Sequence, residues 1–334
     1  MSSDNVTFLG HARGFAMASI AACASATLTN PMEVIKTRLQ LQGELSKTSN
    51  GGKLYGNAFS ALITIGRNEG IRGLQKGLIP AYGYQLFNNG CRIGLYEPIK
   101  QFYQQVIGQL WSSNSQHNSL PVMLAAGATS GILGALTASP LFLVKTRMQS
   151  YSPELSSVGH QHAYVTQGTL RSLQIIYRNE GLRGLWRGVD AAMFRSGVAS
   201  AVQLASYDKS KQLLKGTGWF HLGPYGDGNL DLHLAASSIT GLLMCIAMNP
   251  FDVTMTRMYN QKATGGHGVL YSGTLDCIMK TVRAEGVAAL YKGFTAHYMR
   301  IGPHIVFTFV FLEQLKKLSR MWDQSQLQVA ALTK

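Results

Sequence analysis

Three short phrases of the sequence set a proline, an acid and bases at fixed spacing, a pattern suited to ion pairing. In the first, NPMEVIKTR, Glu33 and Lys36 are three residues apart and therefore share one face of a helix. The counterparts are SPLFLVKTR, with Phe142 in the acid position, and NPFDVTMTR, with Met255 in the first basic position. We call the six positions the charge ring: Glu33, Lys36, Phe142, Lys145, Asp252 and Met255.

The chain contains three copies of one unit. The prolines of the three phrases are separated by 109 and 110 residues. A second phrase follows each (EGIRGLQKG, EGLRGLWRG, EGVAALYKG) and a third closes each copy (YEPIK, YDKSK, LEQLK). Ordered phrases at a constant period indicate internal repeats. We predict three units, at residues 10–110, 118–217 and 229–322.

Composition favours a membrane protein. Only 14% of the 334 residues are charged, against about 25% in soluble domains. Three stretches without Asp, Glu, Lys or Arg, 14–32, 118–144 and 232–251, meet or approach the length of about 20 residues that a bilayer span needs. They are rich in Ala, Gly and Ser, which let helices pack closely. With a second apolar stretch in each unit, six spans are expected.

The basic residues follow the three uncharged stretches. The net charge is +14, and the segments 33–76, 145–187 and 252–292 hold 18 of the 30 Lys and Arg residues. That placement is expected of loops on the side favoured by the positive-inside rule. Nucleic-acid binding is the alternative for a basic chain, but neither a recognisable motif nor basic residues interleaved with exposed aromatics is found.

The sequence gives no sign of a cofactor, a metal or a cleaved leader. The four cysteines form no CxxC pair, and His160 and His162 in a polar loop are a weak metal pattern. The second phrase is glycine-rich like a phosphate-binding loop, but no strand precedes it and no GK[ST] follows. We interpret its glycines as turns and helix starts. The first residues, MSSDNVTFLG, do not match a signal peptide or an Arg-rich presequence.

Together the phrases Px[DE]xx[KR]x[KR], EGxxxx[aromatic][KR]G and [FY][DE]xx[KR], present three times over roughly residues 10–320, resemble the mitochondrial carrier family. The resemblance implies an all-α membrane protein with six transmembrane helices in three pseudo-threefold repeats around a central cavity. Short amphipathic helices would lie on the matrix side. It implies an antiporter or other transporter with alternating access, multi-pass in the mitochondrial inner membrane, and not an enzyme.

The two irregular positions of the charge ring determine its direction of pairing. If each acid pairs with the base of the next repeat, two ion pairs form, and the apolar Phe142 and Met255 meet at the third position. The opposite direction would leave two charges unpaired. Unpaired charges inside a membrane are costly, so the first scheme is predicted: Glu33 with Lys145, and Asp252 with Lys36.

The family resemblance gives these residues the role of a matrix gate. It adds three bracing positions beneath the ring and a second ring on the intermembrane side, the cytoplasmic gate. The bracing residues are Gln40, Gln149 and Tyr259. The cytoplasmic gate residues are Glu97, Lys100, Asp208, Lys211, Glu313 and Lys316.

Substrate contacts are expected near the middle of the second span of each unit. Tyr84, Arg195 and Arg300 each follow the closing glycine of the second phrase by seven residues, and the family uses these positions for substrate. Two arginines with no acid at that level predict a small dianion. Arg92, eight residues beyond Tyr84, is either a further cation of the cavity or a helix-packing residue. Lesser candidates, which could equally bond helices together, are Gln85, Asn88, Ser196 and His304.

Four local phrases, LQKGLIPAYGYQ, SPLFLVKTRMQSYS, GVDAAMFRSG and NPFDVTMTRMYNQK, are similar to the branch of the family that carries oxaloacetate and sulfate. That branch implies oxaloacetate, sulfate, thiosulfate, malonate and isopropylmalate as substrates. Carriers of C4 dicarboxylates, tricarboxylates or phosphate are the alternative, and a membrane-embedded enzyme or structural protein is disfavoured. Expected partners are small anions and membrane lipid, with cardiolipin a candidate. No nucleic acid is expected, and a monomer should suffice.

Overall fold

A computed structural model describes residues 3–45, 54–110, 120–153, 159–216, 230–264 and 267–332. Ten α-helices lie within these ranges, and six of them have 28 to 39 residues. The six long helices are α1 (Ser3–Leu41), α4 (Leu78–Leu110), α5 (Leu120–Ser150), α7 (Val189–Gly216), α8 (Leu230–Asn260) and α10 (Phe294–Leu332). At 1.5 Å per residue, each is long enough to cross a bilayer.

The long helices form a closed ring. In chain order α1, α4, α5, α7, α8 and α10 each contact the next, and α10 returns to α1. The first, third and fifth of the six long helices, α1, α5 and α8, also contact one another. Each is the first long helix of its repeat, and we call these three the odd helices. They contain the phrase prolines Pro31, Pro140 and Pro250. The charge ring therefore lies where the three repeats meet.

Hydropathy alone detects fewer spans than the architecture contains. By length and composition, two of the described stretches, Val122–Ser150 and Ser238–Asn260, are apolar enough to cross a membrane. The other long helices carry charged and small polar residues that lower their hydropathy. Such residues are tolerated in a bilayer where they face the interior of a bundle or a wet cavity.

Short helices join the two long helices of each repeat. They are α2 (Ala58–Asn68), α3 (Gly70–Leu74), α6 (Thr169–Leu185) and α9 (Thr274–Glu285). Helix α2 begins with a capping box, in which Asn57 accepts from the Ser60 amide and Ser60 reaches back to the Asn57 amide. A small two-stranded hairpin, β1 (Ala263–Thr264) and β2 (His267–Gly268), lies between α8 and α9.

The second-phrase glycines form turns, as interpreted from the sequence. Gly77, Gly188 and Gly293 have φ values of 73°, 76° and 74°, in the left-handed region that favours glycine. Each precedes the second long helix of its repeat and lies against another repeat. A Cβ on Gly77 would approach the Lys145 carbonyl oxygen at 3.0 Å. These turns let the repeats pack closely beside the charge ring.

Candidate substrate and gate site

The charge ring contains both ion pairs that the pairing scheme predicts. The ammonium of Lys145 on α5 lies 2.7 Å from a Glu33 carboxylate oxygen on α1. The ammonium of Lys36 on α1 donates a hydrogen bond of 3.0 Å to Asp252 on α8. All four side chains are largely buried. Because each pair joins two repeats, the ring ties α1 to both other odd helices.

The third position of the charge ring is apolar, as predicted. Phe142 there also contacts two aromatic rings that the pairing scheme did not include. Met255 belongs to a buried apolar cluster, and the partly buried Phe142 packs against that cluster. The ring contacts of Phe142 are with Tyr84, at 5.0 Å between centroids, and with Tyr259, at 5.5 Å. The Lys145 ammonium lies 5.0 Å from the Phe142 centroid, within cation–π range. An aromatic cluster therefore occupies the place of the third ion pair.

The three predicted bracing residues bond the odd helices to one another. Thr256 on α8 donates to the Gln40 side chain on α1 at 2.8 Å. Thr37 on α1 donates to the Gln149 side chain on α5 at 3.0 Å. The third link is a 3.0 Å hydrogen bond between the hydroxyls of Ser139 on α5 and Tyr259 on α8. The three links run cyclically around the same axis as the charge ring.

The two candidate substrate arginines lie against the acids of the charge ring. Arg195 on α7 donates through Nε to one oxygen of Asp252, while Lys36 holds the other oxygen. Arg300 on α10 lies 3.5 Å from Glu33. The sequence indicates that the two arginines lie at the same depth in the bundle, but it does not predict that they contact the acids of the charge ring. Each acid is in fact shared between a lysine of the ring and an arginine.

Of the remaining substrate candidates, His304, Gln85 and Asn88 contact neighbouring helices, and Ser196 and Arg92 are described by their exposure. His304 on α10 lies 3.0 Å from the Ser25 hydroxyl of α1 and 3.4 Å from the Gln85 amide of α4, so both candidates bridge helices. Asn88 on α4 packs closely against α5, since a Cβ on Gly134 of α5 would lie 3.0 Å from it. Ser196 adjoins Arg195 and is partly buried, and Arg92 is exposed on α4.

The predicted cytoplasmic gate is not closed by the side chains that the structure describes. Glu97 and Glu313 are exposed, as is Lys316, and Lys100 is half-buried. None of the ion pairs found between described side chains involves these four residues. The side chains of Asp208 and Lys211 lie outside the described part of the chain. Every ion pair found between described side chains of two long helices involves an acid of the charge ring, Glu33 or Asp252.

A further set of ion pairs, which the sequence analysis did not predict, lies next to the charge ring. Its arginines are two residues beyond the basic position of the ring in each repeat. The second base of each first phrase, Arg38, Arg147 or Arg257, is fully buried. Each pairs with the glutamate that opens the second phrase of its own repeat, and each Nε donates to a backbone carbonyl of another odd helix. The Arg-to-glutamate pairs are Arg38 with Glu69, Arg147 with Glu180 and Arg257 with Glu285. The carbonyl acceptors belong to Gln149, Tyr259 and Gln40.

The base of the second phrase completes each cluster. Lys76 lies 2.5 Å from Glu69, Arg187 lies 2.9 Å from Glu180, and Lys292 lies 2.6 Å from Glu285. The chain turns between acid and base at the glycine directly after the acid, since Gly70, Gly181 and Gly286 all have positive φ. This turn accounts for the spacing of seven residues in EGxxxxxKG, at which the base contacts the acid. The recurrence of all three residue types was a signal available in the sequence.

Comparison with known proteins agrees with this architecture. The chain matches the mitochondrial carrier protein family at residues 9–106, 116–218 and 229–321. It is 47% identical to the mitochondrial oxaloacetate transport protein of Saccharomyces cerevisiae, over 91% of this chain and 89% of that protein. It is 45% identical to the protein of the same name in Schizosaccharomyces pombe, over 93% of this chain and 92% of that protein. It is also 45% identical to mitochondrial citrate transporter E of Aspergillus niger, over 92% and 93%.

Three repeats, a closed ring of six long helices and relatives of this identity over nine-tenths of the chain lead to one conclusion. The chain belongs to the mitochondrial carrier family and is a multi-pass transporter of the inner mitochondrial membrane, not an enzyme.

Proposed function

We propose that this carrier exchanges small dianions, with oxaloacetate and sulfate as its principal substrates and thiosulfate, malonate and isopropylmalate as further ones. The observation that carries the proposal is the charge balance of the site. Four basic groups face two carboxylates: Lys36, Lys145, Arg195 and Arg300 against Glu33 and Asp252. Two surplus positive charges in a desolvated site are unfavourable, and one dianion neutralises them. The names of the two yeast relatives support oxaloacetate.

The same contacts supply a mechanism for opening the matrix gate. A dianion entering from the intermembrane side offers two acceptor groups to Arg195 and Arg300, whose planar forks suit carboxylate and sulfate. As the arginines turn to the substrate, Asp252 and Glu33 each lose one of their two cations. The ion pairs with Lys36 and Lys145 then hold the gate alone. Binding energy thus offsets part of the cost of opening, as alternating access requires.

Uptake by proteoliposomes tests the proposal. Purified protein is reconstituted, and the initial rate of labelled sulfate uptake is measured with competitors outside. We expect oxaloacetate, thiosulfate and malonate to inhibit strongly, and ATP to have no effect, because the surplus charge of the site matches one small dianion. Phosphate or malate as the best competitor would instead assign the chain to another branch of the family. Absence of sulfate uptake and of oxaloacetate uptake would contradict the proposal.

Citrate is a second candidate because the chain is also 45% identical to a citrate transporter. A trianion exceeds the two surplus charges, so it needs a further cation. Arg92 is exposed on α4, eight residues from Tyr84, which is about 12 Å along a helix. We predict that any citrate uptake depends on Arg92, and that Arg92→Gln lowers it several-fold while sulfate uptake changes little. Equal loss for both anions would place Arg92 in the common site.

The third position of the charge ring gives a prediction for the gate. Phe142→Glu combined with Met255→Lys restores the acid and the base that the other repeats carry. A third ion pair should stabilise the closed gate and slow exchange by about tenfold, the effect of about 1.4 kcal/mol on the barrier. The matched control is Phe142→Leu with Met255→Leu, which keeps the position apolar. Unchanged turnover in the charged double variant would show that this position does not set the opening barrier.

Membrane lipid is proposed as a partner on the matrix side. A cavity of about 320 Å³ lies between the second and third repeats. Its lining includes two arginines, Arg183 and Arg187, and the start of α7 at Gly188 and Asp190. Guanidinium groups beside a helix start favour the phosphates of an anionic headgroup, which suits cardiolipin.

A further inference from the structure

A polar cluster of side chains lies one helical turn from Arg300, one of the two arginines proposed to bind the dianion. His304 follows Arg300 by four residues, so it lies on the same face of α10, about 6 Å along the helix. Its imidazole contacts Gln85 of α4 and both Ser25 and Thr29 of α1. The cluster therefore joins three helices beside the proposed substrate site.

The cluster occurs at one of three equivalent places in the bundle. The residues that correspond to His304 in the other repeats are Asn88 and Ala199, and those that correspond to Gln85 are Ser196 and Ile301. An imidazole and an amide thus meet on one side of the pseudo-threefold axis only. Such a one-sided polar group suits a substrate whose two ends differ, as those of oxaloacetate do.

The hydroxyl hydrogens of Ser25 and Thr29 determine the tautomer of His304. Ser25 donates its hydrogen to the His304 carbonyl at 2.7 Å, and Thr29 donates its hydrogen to the Ser25 carbonyl at 3.0 Å. Both hydroxyl oxygens can therefore only accept from Nδ1 of the imidazole, which lies 3.0 Å and 3.2 Å from them. Nδ1 carries the hydrogen, and Nε2 of the neutral ring offers a lone pair.

The charges around His304 keep its ring neutral. Arg300, Lys145 and Glu33 are the charged groups that act on it. A positive imidazole would be a third cation beside one carboxylate, in a site that already has surplus positive charge. The lone pair on Nε2 is therefore retained.

This tautomer sets the orientation of the Gln85 amide. Nε2 of His304 lies 3.4 Å from the amide nitrogen of Gln85, which donates one of its two hydrogens to it. Within the described part of the chain, the Gln85 side chain makes no second hydrogen bond. Gln85 is partly buried and adjoins Tyr84, so its second amide hydrogen is available to a molecule in the cavity.

We infer that Gln85 is a specificity residue, which recognises an oxygen on the carbon beside one carboxylate of the substrate. The inference rests on the proposed function, in which Arg300 binds one carboxylate of the dianion. The second amide hydrogen of Gln85 donates to the 2-oxo group of oxaloacetate, and His304 is the positioning residue that holds the amide nitrogen. A site built to bond a substrate oxygen discriminates against an analogue that lacks it.

Competition between oxaloacetate and succinate tests the inference. Both are four-carbon dianions, and they differ only in the 2-oxo group. The Ki of each against labelled sulfate uptake is measured in proteoliposomes for the wild type and for Gln85→Met, which keeps a long side chain but cannot donate. We expect the wild type to bind oxaloacetate about tenfold more tightly than succinate, the effect of one hydrogen bond. In Gln85→Met the ratio of the two Ki values should be about one.

Two further variants accompany Gln85→Met. His304→Leu keeps Gln85 but removes the acceptor that orients its amide, so the preference for oxaloacetate should fall about threefold. Gln101→Met removes an exposed amide from the same helix, α4, and should keep the wild-type ratio. Thermal unfolding of each variant in detergent separates a change of selectivity from a loss of the fold.

The outcomes distinguish this inference from the proposed function. Failure of the wild type to take up or bind any dianion would overturn both. Sulfate uptake with equal Ki values for oxaloacetate and succinate in the wild type would overturn only the role of Gln85. A wild-type ratio in Gln85→Met, even with both Ki values raised, would show that Gln85 only joins helices. Where Gln85→Met does not fold, a wild-type ratio in His304→Leu would overturn the inference.

Discussion

Replacing Arg195 or Arg300 by alanine should abolish dianion uptake while leaving the fold intact. Each arginine is expected to form a charge-assisted contact with the substrate in a desolvated site, and loss of such a contact costs several kcal/mol. Uptake should fall at least about 100-fold. The lysine variants should retain part of the activity, since charge remains but the planar fork does not.

The fold should survive because neither acid loses its only partner. Without Arg195, Asp252 still pairs with Lys36 at 3.0 Å. Without Arg300, Glu33 still pairs with Lys145 at 2.7 Å. Thermal unfolding of each variant in detergent checks this, and Arg72→Ala, at an exposed arginine outside the bundle, controls for loss of a positive charge. Full uptake in either arginine variant would remove that residue from the site.

The largest effect on stability is expected from Glu69→Gln. Arg38 is fully buried, and Glu69 is its carboxylate partner through two hydrogen bonds. Removing one member of a buried pair leaves an uncompensated charge and costs about 3–5 kcal/mol, or roughly 6–20 °C in the unfolding midpoint. The matched control is Asp276→Asn, which breaks a more exposed pair with Lys280 on α9. It should cost less than about 1 kcal/mol.

The same pair gives stability a pH dependence. Burial raises the pKa of Glu69, but the hydrogen bonds from Arg38 and Lys76 outweigh it and lower the pKa to about 2 from an ordinary value of 4.5. Because the folded pKa lies below the unfolded one, the stabilisation is complete above about pH 4.5 and is lost as pH falls toward 2. Thermal unfolding at several pH values should show this loss in the wild type. A smaller loss in Glu69→Gln is expected, and an identical one would assign the effect to other carboxylates.

Much of the candidate site follows from comparing the three repeats. The substitutions at Phe142 and Met255 select one direction of pairing, and the structure contains both ion pairs of that scheme. The position of Arg195 and Arg300 on one level follows from their common distance to the second phrase. Such inferences need only the helical repeat and the cost of an unpaired charge in a membrane.

What the sequence did not reveal depends on distances between helices. A constant period cannot show that Arg195 reaches Asp252, because that contact depends on how closely α7 packs against α8. The link between Arg38 and Glu69 was also missed, although both residue types recur in every repeat.

A binding titration of malonate tests the central claim most directly, because it isolates the site from the gates and from reconstitution. Malonate is a small dianion that is chemically stable in solution. The charge balance predicts one malonate bound per chain, with binding lost in Arg195→Ala and in Arg300→Ala but retained in Arg72→Ala. Unchanged malonate affinity in both Arg195→Ala and Arg300→Ala would contradict the claim that these arginines receive the dianion.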